Sequence, residues 1–252
     1  MVRRICISGG GTGIGRQVAL DFAAEGNDIT IIGRRSQPLS QVRAECLQAG
    51  AAGARAAIAD LREPQSINEL RDAAAEGPFD VVIAAAGGNS ALSAGAPDLV
   101  GTDWASWHWT ANFQTNVLTA VHLIEGLREL DAIAQGGSVI LVSSIAAYRG
   151  SGSGSYAGTK AALHPYAFDL ADALGTHGVT VNVVAPGYVA ETEFFQGGMS
   201  PERHNTLIGQ TLTGRAGLPS DVSATILWLC GESARHVTGQ IIQVNGGANL
   251  GR

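Results

Sequence analysis

The sequence predicts a doubly wound α/β fold, a seven-stranded parallel sheet with helices on both faces, in one domain spanning 1–252. Three observations carry this. Short apolar, β-branched runs alternate with longer stretches of helical spacing, the pattern of βαβ units. At 252 residues the chain can bury one large core. Its 34 glycines follow no three-residue period, so they mark turns and close backbone approaches rather than a fibre.

The elements follow in order. Arg4 to Ser8 reads as the first strand and leads through a glycine turn into a helix over Ile14 to Glu25. Asp28 to Ile32 is the second strand, β-branched at Ile29, Thr30, Ile31 and Ile32. The next helix, Leu39 to Ala49, follows Pro38, which fits a first-turn position where a missing N–H costs nothing. Arg55 to Ala59 is the third strand, and Pro64 opens a helix to Ala75 on the same logic. Asp80 to Ala85 and Ser138 to Ser143 are the fourth and fifth strands, with a long helix, Ala111 to Leu130, between them. A helix over Ser155 to Leu174, a strand over Val179 to Val184, a helix over Ser220 to Cys230 and a strand over Gln240 to Val244 complete the pattern. Gly187 to Gly214 shows no regular pattern, and an irregular stretch of that length is usually a substrate loop or lid.

Composition excludes several function classes. Hydrophobic residues are 45% of the chain and charged ones 15%, too apolar for a disordered segment. A net charge of −6 offers no basic footprint, so no nucleic-acid partner is expected. Cys6, Cys46 and Cys230 stand far apart and in odd number, which speaks against a disulfide framework or a metal site. The apolar run after Arg4 is too short for a signal peptide, and no run approaches the ~20 residues that span a bilayer. A cytoplasmic protein without a membrane partner is the expectation.

Ser8-Gly9-Gly10-Gly11-Thr12-Gly13-Ile14-Gly15 joins the first strand to the first helix, with Gly9, Gly13 and Gly15 in GxxxGxG spacing. Such a turn brings a helix N-terminus, with its free N–H groups, against a pyrophosphate. A glycine-rich turn without ligand is the bland alternative. The second strand ends in Gly33-Arg34-Arg35, where an acid would suit a ribose 2′-hydroxyl and a base suits a 2′-phosphate. Guanidinium groups there point to NADP(H) over NAD(H).

Of 16 lysines and arginines only one, Lys160, is lysine. The bias that chose Arg elsewhere did not operate there, so the position calls for a compact ammonium with a tunable pKa. Tyr156 lies four residues earlier, on the same helix face. A nearby cation favours the phenolate, which makes the two a proton-transfer pair. Ser143-Ser144 ends the fifth strand, where α/β ligands bind.

Together these motifs resemble the short-chain dehydrogenase/reductase family in its single-domain form, over essentially the whole chain, and they are similar to its 3-oxoacyl-carrier-protein reductase-like members. Tyr156-Ala157-Gly158-Thr159-Lys160 is similar to the family's YxxxK, and Ser8 to Gly15 to its TGxxxGxG. Asn182 to Gly187 is similar to NxxxPG, and Val237 to Gly247 to its TGQ…VNGG tail. The resemblance implies a Rossmann-like fold and hydride transfer between nicotinamide and a carbonyl or secondary alcohol. It implies catalytic roles for Asn116, Ser144, Tyr156 and Lys160. Cofactor contacts are implied at Gly9, Thr12, Gly13, Ile14, Gly15, Arg34, Arg35, Asp60, Leu61, Ala86, Gly87, Tyr156, Lys160, Pro186, Gly187, Val189 and Thr192. It also implies a homotetramer or homodimer. The family's NNAG or NAAG reads Ala84-Ala85-Ala86-Gly87 here, without the amide that braces the central strand.

The sequence leaves the substrate open. Phe194, Phe195, Met199 and Leu207, or Trp104, Trp107, His108 and Trp109, are candidates for a pocket wall and equally for packing. An acyl thioester on an acidic carrier would want a basic rim, for which Arg128, Arg149 and Arg203 are candidates. The alternative function is a non-catalytic NADP(H)-binding sensor, whose mark would be a broken Tyr-Lys pair.

Overall fold

The structure, a computed structural model, describes residues 1–93, 95–195 and 199–251. Its strands are β1 (Arg4–Ser8), β2 (Asp28–Gly33), β3 (Gly53–Ile58), β4 (Phe79–Ala84), β5 (Ile133–Val142), β6 (Thr180–Pro186) and β7 (Ile241–Val244). The helices are α1 (Gly13–Ala24), α2 (Ser36–Ala49), α3 (Arg71–Ala75), α4 (Gly101–Phe113), α5 (Thr119–Glu129), α6 (Ala146–Arg149), α7 (Gly154–Gly175), α8 (Pro201–Gly209) and α9 (Pro219–Leu229).

All strand pairs are parallel, in the order β3-β2-β1-β4-β5-β6-β7, so all seven expected strands form one doubly wound sheet. Chain order reverses between β1 and β4, and a crevice opens at the carboxyl ends of those strands. Both faces are buried, as a parallel sheet requires. Ile5 and Ile7 of β1 join Val18 and Phe22 of α1, Leu39 and Val42 of α2, and Val222 and Ile226 of α9. Cys6, between them, points the other way, into a core with Leu123, Ile124 and Leu127 of α5 and Leu163 and Leu170 of α7.

Several boundaries differ from the sequence pattern. β5 begins at Ile133 because that residue pairs with Phe79, before a register shift brings Ser138 opposite Val81. The expected helix from Ala111 begins ten residues earlier, at Gly101, and is split by a π-helical stretch over Gln114–Leu118. Pro64 opens a 3₁₀ turn, Pro64–Leu70, before α3. The expected irregular loop over 187–214 contains a 3₁₀ turn, Glu193–Phe195, and the whole of α8. Pro201 stands in the first turn of α8, and Ser200 accepts a bond from Arg203 N at 3.1 Å, so this helix had a readable start signal.

Candidate active site

The glycine turn crosses the carboxyl end of β1. Gly9 has φ +68° and lies against the backbone of Ala85 and Ala86, and a Cβ on Gly15 would strike the Gly9 carbonyl. Here the chain is pressed together too tightly for side chains, which explains two of the three glycines in the motif. α1 therefore starts at the crevice. Its N-cap, Thr12, makes no side-chain capping bond, and the first turn holds no acid. The opening N–H groups are left to a ligand.

One cleft collects Gly9, Thr12, Arg34, Arg35, Asp60, Leu61, Ala86 and Gly87, eight of the residues read from the sequence as cofactor contacts. Asp60 already carries a partner: Arg62 Nε donates to its Oδ1 at 2.9 Å, and that guanidinium holds the carboxyl below its ordinary range. Arg35 donates to Glu193 at 2.7 Å, whereas Arg34 makes no ion pair among the described residues. Thr192, from the same segment as Glu193, faces Gly13 and bonds the Val189 carbonyl at 3.4 Å. Val189 is buried and bridges to Gly217, Pro186 ends β6, and Gly187 lies against Asn245. Ile14 is partly buried against the α1 core and is held by packing. Bare backbone, uncapped N–H donors and free guanidinium together fit a dinucleotide phosphate.

The other half of the site hangs on α7. Ser144 Oγ accepts from Ala146 N at 3.1 Å and lies near enough to the Tyr156 hydroxyl to favour its phenolate, and Lys160, one turn on, donates from Nζ to the Val142 carbonyl at 2.8 Å. Lys160 is 4% exposed. Gly87 brings the cofactor cleft to this group, since a Cβ there would stand 2.8 Å from both Lys160 Nζ and Asn116 Oδ1. The expectation that the cation lowers the Tyr156 pKa is corrected here. Burial dominates, pushing Tyr156 up to about 12 against the smaller opposing effect of Ser144, and pushing Lys160 down to about 8. Desolvation penalises the phenolate and the ammonium alike.

Asn116 lies in the π-helical stretch. Its Oδ1 accepts from Gly88 N at 2.9 Å, and its Nδ2 donates to the carbonyls of Gly88 at 2.9 Å and Asn112 at 3.0 Å. The widened turn leaves the Asn112 carbonyl to a side chain, and π-helical turns concentrate at functional sites. The family amide missing from β4 has a physical counterpart: Ala84 faces the apolar core, and Ser8 Oγ accepts from Ala86 N at 3.2 Å.

Sequence reasoning missed three further groups. Asn112, fully buried, accepts from Ser90 N at 2.9 Å and donates to Ser155 Oγ at 2.8 Å, tying α4 to the start of α7. Ser143 Oγ donates to the Lys160 carbonyl at 2.8 Å and meets His164 Nε2 at 2.9 Å. Tyr188 OH meets His204 Nδ1 at 2.7 Å. His164 had a signal, eight residues after Tyr156 and hence on its helix face; the others join elements that only the fold brings together.

Of the two candidate walls, the structure brings one to the site. The Phe194 ring lies 5.5 Å from that of Tyr156 and 4.9 Å from Phe195, which packs on Tyr188. Trp104, Trp107 and His108 stack on one another along α4, and Trp109 covers Gly158. The candidates for a basic rim have partners of different kinds. Arg128 pairs with Glu125 on α5, Arg149 bonds Gln210 and the Ala248 carbonyl, and Arg203 is exposed on α8.

Fold and site define a doubly wound α/β protein of dinucleotide-binding type. A family model described as "Enoyl-(Acyl carrier protein) reductase" matches residues 9–249. Galactitol 2-dehydrogenase (L-tagatose-forming) of Cereibacter sphaeroides is 31% identical over 244 residues, 96% of this chain and 92% of that protein. A short chain dehydrogenase from Burkholderia cenocepacia J2315, solved in complex with NADP, superposes with TM-score 0.84 at 27% identity, covering 98% of both chains. A 3-oxoacyl-[acyl-carrier protein] reductase from Brucella melitensis, solved with bound NAD, gives TM-score 0.83 at 25% identity, over 97% of this chain and 90% of that one. The chain belongs to the short-chain dehydrogenase/reductase family, oxidoreductases that use nicotinamide cofactors on small-molecule substrates. Among the described residues no helix is long and apolar enough to cross a membrane.

Proposed function

We propose that this protein is an NADP(H)-dependent oxidoreductase interconverting a carbonyl and a secondary alcohol, with Tyr156 as general acid/base. The observation that carries the reading is the convergence of Ser144, Tyr156 and buried Lys160 beside Gly87, at the edge of the cleft lined by Arg34 and Arg35. The cofactor, when bound, supplies or accepts the hydride.

The remaining work falls to the chain. In the reductive direction Tyr156 gives its hydroxyl proton to the developing alkoxide, and Ser144 donates a hydrogen bond to the same oxygen. Lys160 spends one N–H on the Val142 carbonyl, which would leave two for the nicotinamide-ribose hydroxyls when the cofactor is bound. Asn116 holds Gly88 and supports the proton supply behind Lys160. Arg34 and Arg35 would hold the 2′-phosphate, Asp60 and Leu61 the adenine, the turn from Gly9 to Gly15 together with Thr192 the pyrophosphate, and Ala86, Gly87, Pro186, Gly187 and Val189 the nicotinamide half. The substrate enters between Tyr156 and the aromatic segment of Phe194 and Phe195. The reading includes a cytoplasmic homo-oligomer.

Fluorescence titration with NADPH and NADH tests it, followed by NADPH oxidation against ketones, quinones, sugars and acetoacetyl thioesters. Tighter binding of NADPH with turnover of one substrate class is expected. A preference for NADH would overturn the cofactor assignment, and NADPH binding without turnover of any carbonyl would favour a sensor.

A further inference from the structure

We infer that Glu193 is a cofactor-specificity residue that competes with the 2′-phosphate for Arg35. This rests on the proposed preference for NADP(H) and adds the residue that tempers it. Arg35, which lines the cleft, is paired with Glu193 at 2.7 Å, their side chains 60% and 58% exposed. The two come from opposite ends of the sequence: Arg35 precedes α2, and Glu193 belongs to the segment after β6. The neighbours of Glu193 hold it in place. Thr192 lies against Gly13 on one side, and the Phe194 ring packs on Tyr156 on the other. The carboxylate is thus positioned by contacts on both flanks, which lowers the entropy cost that weakens most surface ion pairs.

Its effect on the two cofactors differs in kind. A 2′-phosphate carries more charge than a carboxylate and offers a guanidinium a bidentate set of oxygens, so it can take Arg35 from Glu193. The exchange costs the existing ion pair, and that cost is subtracted from phosphate affinity. A ribose 2′-hydroxyl does not compete with a carboxylate for Arg35, so NAD(H) binds with the pair intact. Arg34, exposed and within Coulombic reach of Asp60 but in no ion pair among the described residues, would contact the phosphate without breaking such a pair. Glu193 therefore narrows the gap between the two cofactors that the arginine pair alone would set.

The test uses the full chain and measures Kd for NADPH, NADH, adenosine 2′,5′-bisphosphate and AMP by calorimetry. Proteins compared are the wild type, Glu193→Gln, Arg35→Ala and the double variant. Glu193→Gln is expected to tighten NADPH and the bisphosphate by about two- to fivefold, the range of an exposed ion pair, and to leave NADH and AMP unchanged. In the Arg35→Ala background the same change is expected to do nothing, because the competition needs Arg35. An equal effect on phosphorylated and unphosphorylated ligands, no effect on either, or an effect that survives Arg35→Ala would overturn the inference. If the wild type itself prefers NADH, the NADP(H) reading falls and this inference with it. If the wild type prefers NADPH and Glu193→Gln changes nothing, only the role of Glu193 falls.

Discussion

Burial sets the chemistry of Tyr156 and Lys160 before any ligand arrives, holding the phenol up at about 12 and the ammonium down at about 8. On the proposed reading, a tyrosine kept protonated in this way would be the reservoir for the proton that a forming alkoxide needs. Tyr156→Phe keeps the ring and its packing on Phe194, so NADPH Kd should be unchanged while kcat falls about 10²–10⁴-fold. Retained turnover in steady-state assays would remove Tyr156 from the chemistry. The same shifts make stability depend on pH. Lys160 titrates near 8 in the folded chain and near 10.5 when unfolded, so between those values the unfolded chain binds more protons and stability rises with pH. For Tyr156 the order is reversed: between 10 and about 12 the folded chain binds more protons, and stability falls. Urea unfolding at pH 7.5 to about 9.5 covers the lysine window, and comparison with Lys160→Met cancels the opposite contribution of Cys6, Cys46 and Cys230, whose thiols burial pushes up. The wild type should gain stability across it relative to Lys160→Met, and parallel pH profiles would show that Lys160 is not the buried ammonium described here.

At the scale of elements, the π-helical stretch between α4 and α5 ties helix to crevice. Asn116 makes hydrogen bonds there to Gly88 N, the Gly88 carbonyl and the Asn112 carbonyl. Asn116→Ala leaves those backbone groups without their partner, at a cost of about 1–3 kcal/mol on general grounds. Chemical denaturation should show that loss, and a change of a few tenths would mean the Gly88 segment is held by other contacts. None of this geometry was legible in the sequence, because the i, i+4 pattern of Ala111 to Leu130 looks the same for a continuous helix. The central strands were legible because their runs are apolar on both faces and end in a turn signal, as at Ile5, Cys6 and Ile7 before Gly9. Tyr156 and Lys160 could be read as a pair because helix geometry alone brings them together. Partners such as Ser8 with Ala86, or Asn112 with Ser155, are 78 and 43 residues apart, and nothing local announces them. α8 went unread despite Ser200 and Pro201 because four of its nine residues, Glu202, Arg203, His204 and Asn205, give no apolar stripe.

For the whole molecule, the outer faces of α4 and α7 pose a packing problem. Trp109 and Phe113, one turn apart on α4, are 52% and 45% exposed, and Phe168 on α7 is 46% exposed. Scattered surface apolar residues need no explanation, but three large aromatic rings on two packed helices are a costly surface for a chain with few charges. Covering them with the same helices of a second copy satisfies both subunits at once, which is how a two-fold interface works. Tyr156 and Lys160 are buried on the inner face of α7, where Leu163 and Leu170 pack into the core, so an interface on its outer face would share that helix and use the opposite side of it. Light scattering should therefore give a mass of two or four chains. Phe168→Glu places a carboxylate in that contact and should shift the protein toward smaller species, while NADPH Kd measured above the dissociation range stays at the wild-type value. A monomeric wild type would remove the interface outright. An oligomer unmoved by both Phe168→Glu and Trp109→Glu would place its contacts elsewhere on the molecule.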